Sequence, residues 1–199
     1  RQGSPSSSIQ SSIQYSQKPT SGTWSKRADS VAPIVPWPCD GVGLDCLLPL
    51  MPITVAKEFR WEMGHRLPYH ETCKNIHGHS YRMMVEVTGE VDDSGMVIDF
   101  GDISTIVRPL IEAMDHSFMV DPSDKLMLEV LSTSGLKRTE VGFYSTAENI
   151  AHWILSQVCD RLFTKPLVSR VRVEVYETAT SSACASSDRP SGIPSPASP

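Results

Sequence analysis

Three runs with a two-residue period set the class of fold open to this chain. Ile53, Val55, Lys57, Phe59 and Trp61 alternate with mostly polar neighbours, and Tyr81, Met83, Val85 and Val87 repeat the pattern. Val171, Val173 and Val175 alternate with Arg172, Glu174 and Tyr176. Successive side chains of a strand point to opposite faces, so each run predicts a strand with one buried face. A turn over Asp92, Asp93, Ser94 and Gly95 follows the second run, and residues 96–100 read as a short strand completing a hairpin. Helical spacing appears twice. Ile103, Ile106, Val107, Leu110, Ile111 and Met114 share one face, with Pro109 expected to kink or weaken that helix. Ile150, Ala151, Ile154, Val158 and Leu162 mark a second helix, with Ser145 as N-cap and Glu148 closing a capping box three residues on. Residues 121–144 are the least patterned and read as a long loop with some helix. Strands and helices in separate runs predict an α+β domain with helices packed on one sheet face.

Composition confines that domain. Residues 1–38 hold ten serines, four basic residues and one acid, Asp29, with almost no apolar period. Such a segment buries too little surface to offset its ordering entropy, so residues 1–50 are expected to be a disordered leader. Its Ser-rich, acid-poor character resembles an organellar transit peptide, against the plainer reading of an extension with no address. Residues 181–199, rich in Ser, Pro and Ala, are expected to be a disordered tail, leaving residues 51–180 as one folded domain. The five cysteines are irregularly spaced and form no CxxC pair, which favours a reducing compartment, most simply the cytoplasm. A net charge of −5 gives no reason to expect nucleic acid, and no apolar run suggests a membrane span.

Four of the six histidines fall between His65 and His79. His77 and His79 share the parity of Tyr81, Met83 and Val85, while His65 shares that of Phe59 and Trp61. Neighbouring strands could therefore present three imidazoles to one pocket, and three nitrogen ligands with an open fourth position is the arrangement of catalytic zinc. A lone HxH on a strand has no such meaning; the aligned third histidine carries the case.

Other groups are ambiguous taken singly. Cys73 lies in a polar segment four residues before His77. It is either an incidental loop thiol or a thiolate favoured by nearby positive charge. Asp115-His116 follows the first helix and either ends it or serves in acid–base chemistry. Glu177 continues the apolar parity of Val171, Val173 and Val175, so its carboxylate needs either solvent or a partner rich in N–H donors.

Together these residues resemble the 6-pyruvoyl/6-carboxytetrahydropterin synthase family. The pattern comprises Phe59, His65-Arg66-Leu67-Pro68, Cys73-x3-His77-Gly78-His79, Gly89-Glu90-Val91-Asp92 and Gly95-Met96-Val97-Ile98-Asp99-Phe100. It continues through Asp115-His116, Thr146-Ala147-Glu148-Asn149 and Tyr176-Glu177-Thr178. The resemblance implies a T-fold: a four-stranded antiparallel sheet with two helices on one face. It further implies trimers that close a barrel, stacked trimers forming a hexamer, and active sites between subunits. His65, His77 and His79 would bind Zn²⁺. Cys73 would be the general base, Asp115 and His116 a proton relay, and Glu177 the pterin anchor, with Thr146 and Glu148 near the pterin. The implied substrate is 7,8-dihydroneopterin triphosphate. The short Cys-x3-His-Gly-His spacing and Val97-Ile98-Asp99-Phe100 favour the carboxy branch over the pyruvoyl branch. A zinc T-fold protein that binds a pterin without turning it over is the remaining alternative. The long 121–144 segment and the tail after Thr178 depart from the family pattern.

Overall fold

The alternation seen in the sequence becomes two long strands paired over their whole length. In the computed structural model, which describes residues 51–191, β1 (Ile53–His65) runs antiparallel to β2 (His77–Gly89), from Ile53 opposite Gly89 to His65 opposite His77. β2 pairs antiparallel with β5 (Val168–Tyr176), and β5 with β6 (Ser182–Asp188). These four strands form the antiparallel sheet. On the far side of β1, two short strands extend it in parallel: β3 (Ser117–Val120) and then β4 (Arg138–Glu140). The leader expected over residues 1–50 lies outside the described residues.

Parity decides which face is covered. Trp61, Met63, Tyr81, Met83, Val85, Val87, Val171, Val173 and Val175 are buried against α1 (Phe100–Met114) and α3 (Ala147–Leu162). Each such side chain contributes on the order of 1.5–3 kcal/mol by leaving water. The alternate residues form an uncovered polar face of paired charges. Glu58 accepts from Arg60 (2.7 Å) and Arg82 (3.4 Å), and Arg172 donates to Glu86 (2.7 Å) and Glu174 (2.8 Å).

Several expectations are corrected. Residues 96–100 are not a strand: Gly95 takes φ +82° in the turn, and Asp99 then caps α1, accepting from the Gly101 N–H. The chain enters a helix where the periodic reading placed a hairpin arm. Pro109 does not break α1, because it lies on the exposed side, where the carbonyl it leaves unpaired reaches water. The tail is not wholly disordered. Ser182–Asp188 supplies the fourth antiparallel strand, and Arg189 ties its end to the Val168 carbonyl (2.7 Å). Its sequence, Ser-Ala-Cys-Ala-Ser-Ser-Asp, has little strand propensity; pairing with the β5 edge and packing of Ala183 and Ala185 on the core order it. The 121–144 segment is more regular than a loop. It contains α2 (Lys125–Thr133) and β4, and Met127 and Leu131 form a small separate core with Val120. Among the described residues no helix is long and apolar enough to cross a membrane.

Candidate active site

Register alone brings the three histidines together. His65 stands directly opposite His77, and His79 is one step diagonal, opposite Met63, all on the covered parity of the sheet. One ligating nitrogen from each lies within 4.8 Å of the others. Gly64 and Gly78 face one another between them, and a Cβ on Gly78 would lie 2.9 Å from the Met63 carbonyl oxygen. The strands approach this closely because both residues are glycine.

Hydrogen bonds orient two of the rings. His65 Nδ1 donates to the Ser145 carbonyl at 2.8 Å, and His77 Nδ1 donates to the Asn75 carbonyl at 2.8 Å. A carbonyl only accepts, so in both rings Nε2 is left as the lone-pair nitrogen, the form a metal ion needs. His65 Nε2 is buried and has no hydrogen-bond partner. Burial also holds the His65 imidazole below its usual pKa, which keeps it neutral. A buried, unpartnered, neutral nitrogen beside two like it fits a metal centre. The three residues could hold a metal ion.

Glu177 continues the β5 parity into the same place. Its Oε1 lies 3.4 Å from His65 Nε2, 3.7 Å from His79 Nε2 and 3.5 Å from the Tyr81 hydroxyl. Burial first, and the Glu177 charge second, raise the Tyr81 pKa, so that hydroxyl stays a donor. The Glu177 carboxylate also lines a cleft of ≈ 520 Å³ with His79, Arg60, Arg82 and Tyr176, the Arg82 guanidinium lying 3.6 Å above the Tyr176 ring.

Cys73 is a free, half-buried thiol on the segment joining β1 to β2, outside the ligand cluster. Asp115 and His116 form a pair at 3.0 Å, away from the triad's own contacts. They end α1 and are stitched to β1: Asp115 accepts from the Glu62 N–H (2.9 Å), and the His116 N–H donates to the Glu62 carbonyl (2.7 Å). The Glu62 N–H, then His116, hold the Asp115 carboxyl below its usual pKa. His116 has φ 53°, a left-handed conformation that costs a residue with a side chain roughly 1–2 kcal/mol. Its ring opens into a cleft of ≈ 400 Å³ lined by Glu62, Ser80 and, from the triad, His79.

The helix cap differs from the expected box. Thr146, not Ser145, is the N-cap of α3, its hydroxyl accepting from the Asn149 N–H at 3.3 Å. Glu148 is exposed in the first turn, where its charge suits the helix dipole. Ser145 is buried and serves His65 instead. Its role, and that of the Asn75 carbonyl, act through backbone atoms and leave no sequence signal.

With this geometry in hand, the comparisons with known proteins decide the family. The family model described as 6-pyruvoyl tetrahydropterin synthase matches residues 54–188. The chain belongs to the 6-pyruvoyl tetrahydropterin synthase family. The 6-carboxy-5,6,7,8-tetrahydropterin synthase of Haemophilus influenzae is 36% identical over 136 residues, covering 64% of this chain and 94% of that protein. Its counterpart from Aquifex aeolicus is 32% identical over 154 residues, covering 65% and 94%. Among solved structures, 6-pyruvoyl tetrahydropterin synthase of Plasmodium falciparum superposes with TM-score 0.57 at 18% identity, covering 70% of this chain and 99% of that one. An uncharacterized protein from Wolinella succinogenes gives TM-score 0.59 at 24% identity, covering 70% and 99%. These structures share the fold, and the expected T-fold is the fold this chain has.

Proposed function

We propose that the chain is a zinc-dependent lyase that converts 7,8-dihydroneopterin triphosphate to 6-carboxy-5,6,7,8-tetrahydropterin, releasing acetaldehyde and triphosphate. The observation that carries it is the convergence of three imidazole nitrogens within 4.8 Å of one another, with the Glu177 carboxylate 3.4 Å from the buried one. The curated relatives at 36% and 32% identity, both named 6-carboxy-5,6,7,8-tetrahydropterin synthase, support the carboxy product.

In this reading His65, His77 and His79 hold Zn²⁺, which when bound would supply Lewis acidity toward the side-chain hydroxyls of the substrate. The chain's own groups do the rest. Glu177 accepts hydrogen bonds from the ring and amino N–H groups of the pterin, a bidentate match for a carboxylate. Arg60 and Arg82 line the same cleft and offer guanidinium groups to an anionic substrate. Cys73 removes a proton from the substrate side chain as thiolate, and Asp115 with His116 relays protons. Thr146 and Glu148 stay nearer to capping α3 than to the pterin, and Glu177 outranks both as anchor. The Asp115–His116 pair has no contact with this chain's own triad. It therefore suits a site completed by a neighbouring subunit of a trimer or hexamer, in which the polar sheet face lines a barrel and the edges of the sheet are paired. The lack of a cysteine framework supports a cytoplasmic setting.

A product assay tests this directly. Zinc-loaded protein given 7,8-dihydroneopterin triphosphate is expected to release acetaldehyde with 6-carboxytetrahydropterin. Accumulation of 6-pyruvoyltetrahydropterin would move it to the pyruvoyl branch, and absence of triphosphate release would leave a pterin-binding protein. Cys73→Ala is expected to keep full zinc stoichiometry and lose most turnover, whereas His77→Ala loses the metal. Full activity in Cys73→Ala would remove the thiol from the mechanism.

A further inference from the structure

The segment that carries Cys73 is closed on itself but lies largely at the surface. Within it, Leu67 N–H donates to the Cys73 carbonyl (2.8 Å), His70 N–H to the Leu67 carbonyl (3.0 Å), and Cys73 N–H to His70 Nδ1 (3.1 Å). These bonds give the loop a shape without fixing where it sits against the body of the domain. Two contacts from the 121–144 segment do that. Arg66 grips Asp124 with both arms of its guanidinium, Nε to Oδ2 at 2.6 Å and Nη2 to Oδ1 at 2.6 Å. Its remaining Nη1 reaches the Lys74 carbonyl at 3.4 Å, next to Cys73. Tyr69 then packs edge-on against Tyr144, with ring centroids 4.7 Å apart.

Asp124 is unusual in this group. It is only 8% exposed, it caps α2 by accepting from the Met127 N–H at 3.2 Å, and it binds Arg66 with the same carboxylate. Arg66 in turn follows the metal-facing His65 directly. The end of β1, the Cys73 loop and the start of α2 are thus joined through one buried ion pair.

We propose that Asp124, acting through Arg66, is a positioning residue that holds the Cys73 thiol in place for proton transfer, and that this is what the 121–144 segment contributes to the site. The proposal rests on the reading of Cys73 as the proton-transfer group. A cap serving α2 alone needs only one carboxylate oxygen and no link to the Lys74 carbonyl. A thiol that must meet a substrate proton needs its loop fixed to well under an ångström.

The test uses Asp124→Asn in the zinc-loaded full-length chain. Asn retains a side-chain oxygen for the α2 cap, but it cannot accept a charge-assisted bidentate pair from Arg66. Three results are expected together. kcat falls by about tenfold or more with KM within about twofold. Zinc stoichiometry is unchanged. The rate of Cys73 alkylation by iodoacetamide, followed peptide by peptide by mass spectrometry so that other cysteines do not count, changes by at least about threefold. Arg66→Lys keeps the charge, loses the fork and is expected to reproduce all three; it carries the test if Asp124→Asn fails to fold. Wild-type alkylation of Cys73 in either folded variant overturns the proposal, whether or not kcat has dropped. Should Cys73→Ala prove fully active, the base assignment fails on its own, and the alkylation rates still decide whether Asp124 holds the loop.

Discussion

Gly78→Ala probes the central geometric claim, that strand register at the His77-Gly78-His79 run builds the metal centre. A Cβ at position 78 would stand 2.9 Å from the Met63 carbonyl oxygen and 3.4 Å from Gly64 Cα. Carbon–oxygen contacts between adjacent strands settle near 3.3–3.6 Å, so the strands must part by about 0.5 Å. The obstacle is backbone on both counts, and no flexible side chain can swing aside. Met63 is the partner of His79, and the next residues but one, His65 and His77, face each other. Separation here therefore moves His65 against the other two ligands by more than the roughly 0.2 Å that metal–ligand distances tolerate. Overpacking of this kind costs about 1–3 kcal/mol of stability, or roughly 3–10 °C in Tm for a domain of this size. Disturbing the support of a ligand set costs about 10–100-fold in metal affinity. Competition against a chromophoric zinc chelator reads the affinity, and a thermal melt of metal-free protein reads the stability. Gly142→Ala is the control, since a Cβ there meets nothing within 4 Å; it should be neutral in both assays. Zinc affinity in Gly78→Ala within about twofold of wild type would refute the reasoning, because the pocket would then have absorbed a shift larger than coordination allows.

Other outcomes follow from single features. Arg66 holds the Asp124 carboxyl below its ordinary range, so the folded pKa lies under the unfolded value of about 3.9. The stability difference between wild type and Asp124→Asn should then be full above about pH 5 and shrink as pH falls through the folded value, read by denaturant titration across pH. His116→Gly removes the left-handed strain at φ 53° and should raise stability by about 1 kcal/mol while lowering kcat; a variant that is more stable and equally active would detach His116 from the reaction. Truncation after Thr180 removes β6, bares the β5 edge and uncovers the core beside Ala183 and Ala185. Light scattering should show aggregation of that chain, and a monodisperse, cooperatively melting product would show β6 to be dispensable.

Much of the site was legible because its logic is local. The two-residue period put Trp61, Tyr81, Met83, Val85 and Val173 on one face, and the same parity carried His65, His77, His79 and Glu177 onto it. That parity is a property of an extended chain and survives whatever the partner strand is. What the period could not supply is the partner. Residues 96–100 alternate acceptably yet form no strand, whereas Ser182–Asp188 has a composition that argues against a strand and forms one by pairing with β5. Ser145 looked like a helix cap, but Thr146 took that position and left the Ser145 carbonyl to orient His65, 80 residues away in sequence. The grip of Arg66 on Asp124 spans 58 residues and is equally invisible before folding. Side-chain direction along a strand follows from backbone geometry within a few residues, so the sequence by itself determined which groups could meet. Which of them do meet depends on register and on buried hydrogen bonds between distant segments, and only the packed tertiary structure decides those.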